Sequence, residues 1–252
     1  MIEKKLPISA TIIARNEEKK IKKCLSSIRS VVGEIIFVHD GKCSDNTLDI
    51  AKKFTKNIFV RNYVGEAEPH RNFAFQKAKN DWILQIDADE YLTSNLRQAL
   101  AKLISKKDVA GYKFKWNIAY GAQKKFYESK LALYKKSCIK KFFGIPHETV
   151  QLEGKIVVMN GLELGHNREQ INSQQLQHKI AVWPKVHAEY SARYKLHKVP
   201  TFLLPLGYFV YPFYVVLSRI ILRQSRSFCQ IKNDFVYSFR FWHYFCRYRF
   251  KN

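Results

Sequence analysis

Carboxylates are scarce in this chain. Its 21 Asp and Glu stand against 44 Lys and Arg, and the shortage is deepest toward the end, where three acidic residues accompany 14 basic ones from Asn167 onward. So one-sided a surface is suited to polyanions, either nucleic acid or anionic lipid. Paired cysteines are also missing. Cys24, Cys43, Cys138, Cys229 and Cys246 are odd in number, widely spaced and never arranged as Cys-x-x-Cys, which argues against a zinc site and for reduced thiols. Repeats and low-complexity tracts are absent, and 46% of residues are apolar, so the composition is globular and sufficient for a full core. No apolar signal-peptide core precedes Ile8, which leads us to expect a chain on the cytoplasmic side.

What is present first is an alternation of strand-like and helix-like segments. Ile8 to Ala14 reads as a strand, followed by a helix with Ile21, Leu25 and Ile28 at helical spacing. Glu34 to His39 is a second strand, and Ser44 or Asp45 is placed to cap a helix carrying Leu48, Ala51 and Phe54 inward. Asn57 to Arg61, a helix around Phe73 to Ala78, a strand running from Trp82 to Asp87 and a helix with Leu96, Leu100, Leu103 and Ile104 complete the pattern. Such alternation predicts an α/β architecture with a largely parallel sheet, whose ligands collect at the carboxyl ends of the strands. From Val109 to Val158 the alternation is that of antiparallel strands extending the sheet.

Two of these strand ends carry acids. Asp40 closes the second, and Asp87-Ala88-Asp89-Glu90 closes the fourth. In extended backbone Asp87 and Asp89 would share a face. Carboxylates there need a cation or donors, and Mg2+ or Mn2+ would take oxygen ligands while leaving positions for phosphate. His147-Glu148, after the turn Gly144-Ile145-Pro146, forms a titratable pair, and His166 ends a further apolar segment. The other histidines have no metal-ligand spacing.

A helix is expected from about Ser173 to Leu196, interrupted near Pro184. Val199 to Ser218 is then twenty residues without charge, long enough to span a bilayer core but broken by Pro200, Pro205, Gly207 and Pro212. Basic and aromatic residues interleave after it, as in Phe239-Arg240-Phe241-Trp242-His243-Tyr244-Phe245, a pattern suited to the headgroup zone of an anionic membrane. The tail is therefore read as membrane-binding and lying in one leaflet.

Taken in order, Ala14-Arg15-Asn16-Glu17, Val38-His39-Asp40-Gly41 through Thr47, Arg71-Asn72-Phe73-Ala74 and Asp81 to Glu90 resemble glycosyltransferase family 2 with its GT-A fold. The likeness covers roughly residues 6 to 170 and is greatest to the bacterial lipopolysaccharide core glucosyltransferases. It implies a GT-A domain with a mixed central sheet over residues 1–170, and the residues beyond it, 171–252, are read from their own pattern as a helical, basic-aromatic, membrane-associating region. It also implies that Ala14, Arg15, Glu17 and Asp40 hold the base and ribose of a nucleotide-sugar, that Arg71 lies near that nucleotide, and that Asp87 approaches the ribose. Asp89 would coordinate a divalent metal (Mg2+ or Mn2+), with His166 within reach of it or of the diphosphate. The chain departs from the family pattern at Lys42-Cys43, at Asn46, where many members have Gly, and in lacking the Glu-Asp pair that supplies a base elsewhere; His147-Glu148 is the nearest equivalent.

The expectation is thus a metal-dependent, inverting transferase moving a hexose such as glucose from a UDP-sugar to a lipid-linked saccharide such as lipopolysaccharide core. Glu148 would be the base, with His147 sharing or orienting it. It would work at the cytoplasmic face of the inner membrane. The rival readings are a basic nucleic-acid-binding protein, which acidic strand ends disfavour, and a catalytically silent relative.

Overall fold

The computed structural model describes residues 5–65, 67–117, 127–145, 148–167, 201–221 and 228–251, with a few positions between 177 and 192. The chain divides into two compact units, Met1–Gln170 and Ile171–Asn252.

The first unit is built on an eight-stranded mixed sheet. Strand β1 (Leu6–Ala14) is buried without a break from Ile8 to Ala14, as expected of a central strand covered on both faces. It pairs in parallel with β2 (Val32–Asp40) on one side and β4 (Trp82–Gln85) on the other, and β3 (Ile58–Arg61) adds in parallel to β2. Beyond β4 come β7 (Tyr127–Lys135), antiparallel, then β6 (Val109–Asn117), β10 (Lys155–His166) and β5 (Glu90–Leu92). A separate hairpin pairs β8 (Ile139–Ile145) with β9 (Glu148–Leu152).

Helix α1 (Glu18–Ile28) buries Ile21, Cys24, Leu25 and Ile28, one face at helical spacing. It shares a core with α4 (Ser94–Ile104), which contributes Leu96, Leu100 and Leu103, and with Ile35 and Phe37 of β2. The alternate residues Ile36 and Val38 face the opposite layer, where α3 (Glu68–Lys77) places Ala74 and Phe75 beside Ile83 and Tyr134. A short helix, α2 (Thr47–Lys52), buries Ala51. Period-two alternation in β2 therefore fixes which helices cover which face.

The sheet has to curl. Strand β5 starts five residues after β4 ends, yet three strands lie between them in the sheet. A flat sheet would separate the two by about 19 Å, whereas the Glu90 N–H donates to the Asp87 carbonyl in a tight turn that shortens the connection. The pairing of β10 with β6 slips between Met159 and Glu163. The far end of β10, Leu164–His166, is brought back to β5. The sequence expectation of an extended Asp87 is corrected here. Strand β4 stops at Gln85, and Asp87 to Asp89 lie in the turn, so the two carboxylates do not share a strand face.

In the second unit a 3-10 turn (Thr201–Leu206) leads into α5 (Gly207–Ile221), which packs along α6 (Phe228–Lys251). Their core gathers Leu204, Phe241, Trp242, Phe245 and Cys246. Trp242 donates from its indole N–H to the Leu204 carbonyl at 2.8 Å. Gly207 is required at this crossing, since a Cβ there would fall inside the Trp242 ring. Among the described residues no helix is long and apolar enough to cross a membrane. Most of the helix expected from Ser173 to Leu196 lies outside the described residues. Cys24, Cys43, Cys138 and Cys246 are free thiols.

Candidate active site at the carboxyl edge of the sheet

The parallel strands β1, β2 and β4 end on one edge, and their loops are tied to one another by side chains. Ala14, the last residue of β1, is buried; Arg15 lies with its guanidinium 3.8 Å over the exposed ring of Tyr63. Asn16 takes a left-handed conformation (φ 51°), tolerated because its short amide finds local partners. That amide donates to Ser44 Oγ at 2.7 Å and accepts from the Ser44 N–H at 3.0 Å. The Glu17 N–H donates to Thr47 Oγ1, and the Glu18 N–H to Asp45. Burial pushes the Asp45 carboxyl up, but bonds from Thr47 and Glu18 outweigh it and hold it at about 2.

His39 sits beneath this seam. Its Nδ1 lies 2.9 Å from the Gly41 carbonyl, an acceptor only, so Nδ1 carries the proton and Nε2 accepts from the Asn16 N–H. The backbone thus orients the ring from both sides.

Asp40, ending β2, is 4% exposed, and both its oxygens are used. Oδ1 accepts from the Val64 N–H (2.7 Å) and from His70 Nε2 (2.8 Å), and Oδ2 accepts from the Gly65 N–H (2.8 Å). Burial raises this carboxyl, and the donors of Val64, His70 and Gly65 more than reverse it, leaving it below its ordinary value. Gly65 presents its N–H from φ 85°, a conformation a side chain would strain. Asp40 therefore fastens the loop after β3.

The end of β4 is different in kind. Asp87 Oδ1 accepts from Arg71 Nη2 at 2.7 Å, and Oδ2 from Lys130 Nζ at 2.6 Å. Lys130 also reaches Glu90 Oε1 at 2.6 Å, while Glu90 Oε2 accepts from the Asp87 N–H. Burial opposes ionisation of Asp87, yet the two cations hold it well below the usual carboxylate range. For Glu90, fully buried, desolvation dominates and its pKa rises. Asp87, Glu90, Arg71 and Lys130 form a set whose formal charges cancel. Two further N–H donors of Arg71, Nε and Nη1, are buried without a partner among the described residues.

Asp89 turns away from that set. Its Oδ2 lies 3.0 Å from His166 Nε2, its carbonyl accepts from the Asn167 N–H, and its side chain is 32% exposed against 4% for His166. The His166 ring stacks on Trp116, with centroids 5.1 Å apart. Lys130 Nζ lies 5.3 Å from that same indole, so Trp116 borders both clusters.

The structure brings Arg71 to Asp87 and His166 to Asp89, and sets Ala14 to Glu17 beside Asp40's strand end. His147 lies outside the described residues, and of Glu148 only its place at the start of β9 is described. Lys130 and Glu90 were not singled out from sequence as site residues. A lone lysine on an alternating strand carries no signal, whereas Glu90's position beside Asp89 was the one available hint.

Among the described residues no group of three His, Cys, Asp or Glu could hold a metal ion. Mg2+ and Mn2+ do not require one when a substrate phosphate and water complete their coordination. The half-open Asp89 carboxylate with His166 beside it fits such a shared ion, whereas Asp87, already bonded to two cations, does not.

Comparison with known proteins agrees with this geometry. The curated relatives include an uncharacterized glycosyltransferase of Rickettsia typhi, 29% identical over 175 residues, which cover 62% of this chain and 58% of that protein. They also include the lipopolysaccharide core biosynthesis glycosyltransferase LpsC of Rhizobium meliloti, 32% identical over 112 residues, covering 41% and 39%. The chain spans less than two thirds of the length of these relatives. Among solved structures, the mannosyltransferase PcManGT of Pyrobaculum calidifontis, in complex with GDP-Man and Mn2+, has the same fold: TM-score 0.57 at 10% identity, covering 95% of this chain and 86% of that one. TarS of S. aureus, residues 1-349, gives 0.51 at 15% identity, covering 93% and 89%. The family described as Glycosyl transferase family 2 matches residues 9–156, more than half of the sequence, and the chain belongs to that family.

Proposed function

We propose that the protein is a metal-dependent, inverting hexosyltransferase that uses a nucleotide-sugar, UDP-glucose or a similar donor, and a lipid-linked saccharide such as lipopolysaccharide core. The observation that carries this reading is the partly exposed Asp89 carboxylate beside a charge-balanced Asp87 cluster, on the edge where the family's motifs converge. A relative named for lipopolysaccharide core biosynthesis supports the acceptor class.

In this reading the seam from Ala14 to Glu17, with Arg15 over Tyr63, receives the base and ribose, and Asp40 keeps the neighbouring loop in place for it. Asp87, held ionised by Arg71 and Lys130, accepts from ribose hydroxyls, and the spare donors of Arg71 favour an anion nearby. Asp89, with His166, would hold Mg2+ or Mn2+, and that ion would neutralise charge on the departing diphosphate. Glu148 takes the proton of the acceptor hydroxyl as that oxygen bonds to the anomeric carbon and the carbon–diphosphate bond breaks on the opposite face. His147 orients it or replaces it as base. The basic tail keeps the enzyme at the cytoplasmic face of the inner membrane, where such an acceptor is anchored.

The test is donor cleavage by the purified chain with Mn2+ or Mg2+ over UDP-, GDP- and dTDP-sugars, beside Asp89→Ala and Glu148→Gln. Metal-dependent nucleotide release lost in Asp89→Ala is the expected result. Folded protein that neither binds nor cleaves any donor would sink the reading and leave a silent relative or a polyanion-binding protein, separable by salt-dependent RNA binding.

A further inference from the structure

One face of α5 is largely uncovered, touched only where Phe213 meets Phe235 of α6 edge-on among the described residues. Phe209, Val210, Phe213, Tyr214 and Leu217, with Leu206 just before the helix, recur at three- and four-residue spacing and are each more than half exposed. Phe209, at 74%, is the most exposed large apolar side chain among the described residues. The opposite face is engaged: Gly207 lies against Trp242, and Tyr211 stacks on Phe241 and Trp242 of α6. An apolar stripe this continuous needs an occupant, because soluble surfaces rarely leave one uncovered.

We infer that this face of α5 lies in the headgroup–acyl boundary of an anionic bilayer leaflet, with the helix axis in the membrane plane. Three observations select that occupant. The fifteen residues of α5, Pro212 among them, reach only about 22 Å, short of a hydrocarbon core of about 30 Å, so the stripe is not a span. The stripe is bordered by an aromatic, Phe239 of α6, which is exposed and packs edge-on against Tyr208 at 5.6 Å. Lys232, Arg240 and Arg247 on α6 are exposed, within a segment that carries 14 basic residues against three acidic ones, which is the charge complement of an anionic surface. A second copy of the chain would bring that same charge against itself.

The inference rests on reading the tail as membrane-associated, and not on the sugar chemistry. The full chain would be mixed with phosphatidylcholine vesicles with and without phosphatidylglycerol, beside a Phe209→Ser/Leu217→Ser double variant and a Phe209→Trp variant. Both serine positions point to solvent, so the melting temperature should hold. We expect vesicle partition to fall about tenfold or more in the double variant, the order that loss of two apolar side chains from the interface implies. Binding should add a blue-shifted component to the indole emission of Phe209→Trp that the wild type lacks, quenched by lipids brominated near the headgroup. Unchanged partition of the double variant, or no such added component in Phe209→Trp, would overturn the placement of α5. Wild-type protein that ignores both vesicles would overturn the membrane reading itself while leaving donor cleavage untouched. Self-association abolished by the double variant would assign the face to a second copy and overturn the lipid assignment.

Discussion

Asp40 and Asp87 occupy similar places, at or just beyond the carboxyl ends of two parallel strands that flank β1. Their surroundings differ in what supplies the positive partner. Asp40 is met by two backbone N–H groups of the loop after β3 and by the His70 imidazole on α3. Asp87 is met instead by two permanent cations, Arg71 on α3 and Lys130 on β7, and shares one of them with Glu90. The first arrangement fixes backbone and is complete without a ligand. The second holds charge in place, keeps spare donors at Arg71, and leaves Asp89, one turn further, partly open. An acid at a strand end is thus not by itself a ligand site; what distinguishes the two is the kind of donor, backbone and imidazole at Asp40 against fixed cations at Asp87, one of which keeps N–H groups unmatched.

The largest effect should come from breaking the charge set. Lys130→Met leaves the part-exposed Asp87 with one cation and the fully buried Glu90 with none, and the loss at Glu90 is expected to destabilise by about 3–5 kcal/mol. Chemical denaturation would show it as a lower midpoint with unchanged slope. A loss below about 1 kcal/mol would mean that Lys130 is a bystander and that the contrast drawn with Asp40 is false.

Asp40→Asn is the matching cut at the other strand end. An amide retains one acceptor but turns an NH2 toward the Gly65 or Val64 N–H, and the expected loss is about 2 kcal/mol. Rescue by raising salt is not expected, because backbone donors are not screened as surface charges are. Limited proteolysis between residues 61 and 68 should accelerate if the carboxylate fastens that loop.

The stitched loop seam predicts a smaller, pH-dependent term. Asp45 is held at about 2, below the ordinary value of about 3.9, so its bonds stabilise the fold above about pH 4 and are lost as pH falls toward 2. Asp45→Asn should remove that acid-side slope, roughly 1 kcal/mol after solvent screening. Parallel unfolding curves of the two proteins at pH 5 and pH 2.5 would check it.

Much of this was legible in the residues, and the exceptions have physical causes. Strands β1 and β2 and helices α1 and α4 follow from long apolar runs and from Ile21, Leu25, Ile28 and Leu96, Leu100, Leu103 at helical spacing. The mixed sheet and the carboxyl-edge clustering follow from alternation and topology. The turn at Asp87 was not legible, since Ile86-Asp87-Ala88 continues the alternation of an extended strand; only the Glu90 to Asp87 bond and the need to start β5 stop it. Lys130 was invisible because its partners lie forty or more residues earlier in sequence. The largely uncovered face of α5 was half visible. Its apolar length was plain, but which residues pack on α6 depends on where Trp242 meets Gly207, a tertiary fact.

The finest test of the contrast is a substitution that should barely touch the fold. Asp89→Asn keeps an acceptor for His166 Nε2 and leaves the backbone bond from Asn167 to the Asp89 carbonyl untouched. Its cost to stability should stay within about 1 kcal/mol, the scale of one weakened hydrogen bond to His166. In the proposed mechanism its cost to donor cleavage should be at least about a hundredfold, because the carboxylate's charge would hold the divalent cation that meets the developing diphosphate. Asp40→Asn should behave in reverse, losing stability first and turnover only as far as the loop moves. If both variants instead lost stability and turnover in the same proportion, the two acids would be equivalent structural posts, and the diphosphate would have to be met elsewhere on the edge. A divergence, with Asp89→Asn folded but inactive, would make Asp89 the residue through which this edge does chemistry and Asp40 the one that keeps it in shape.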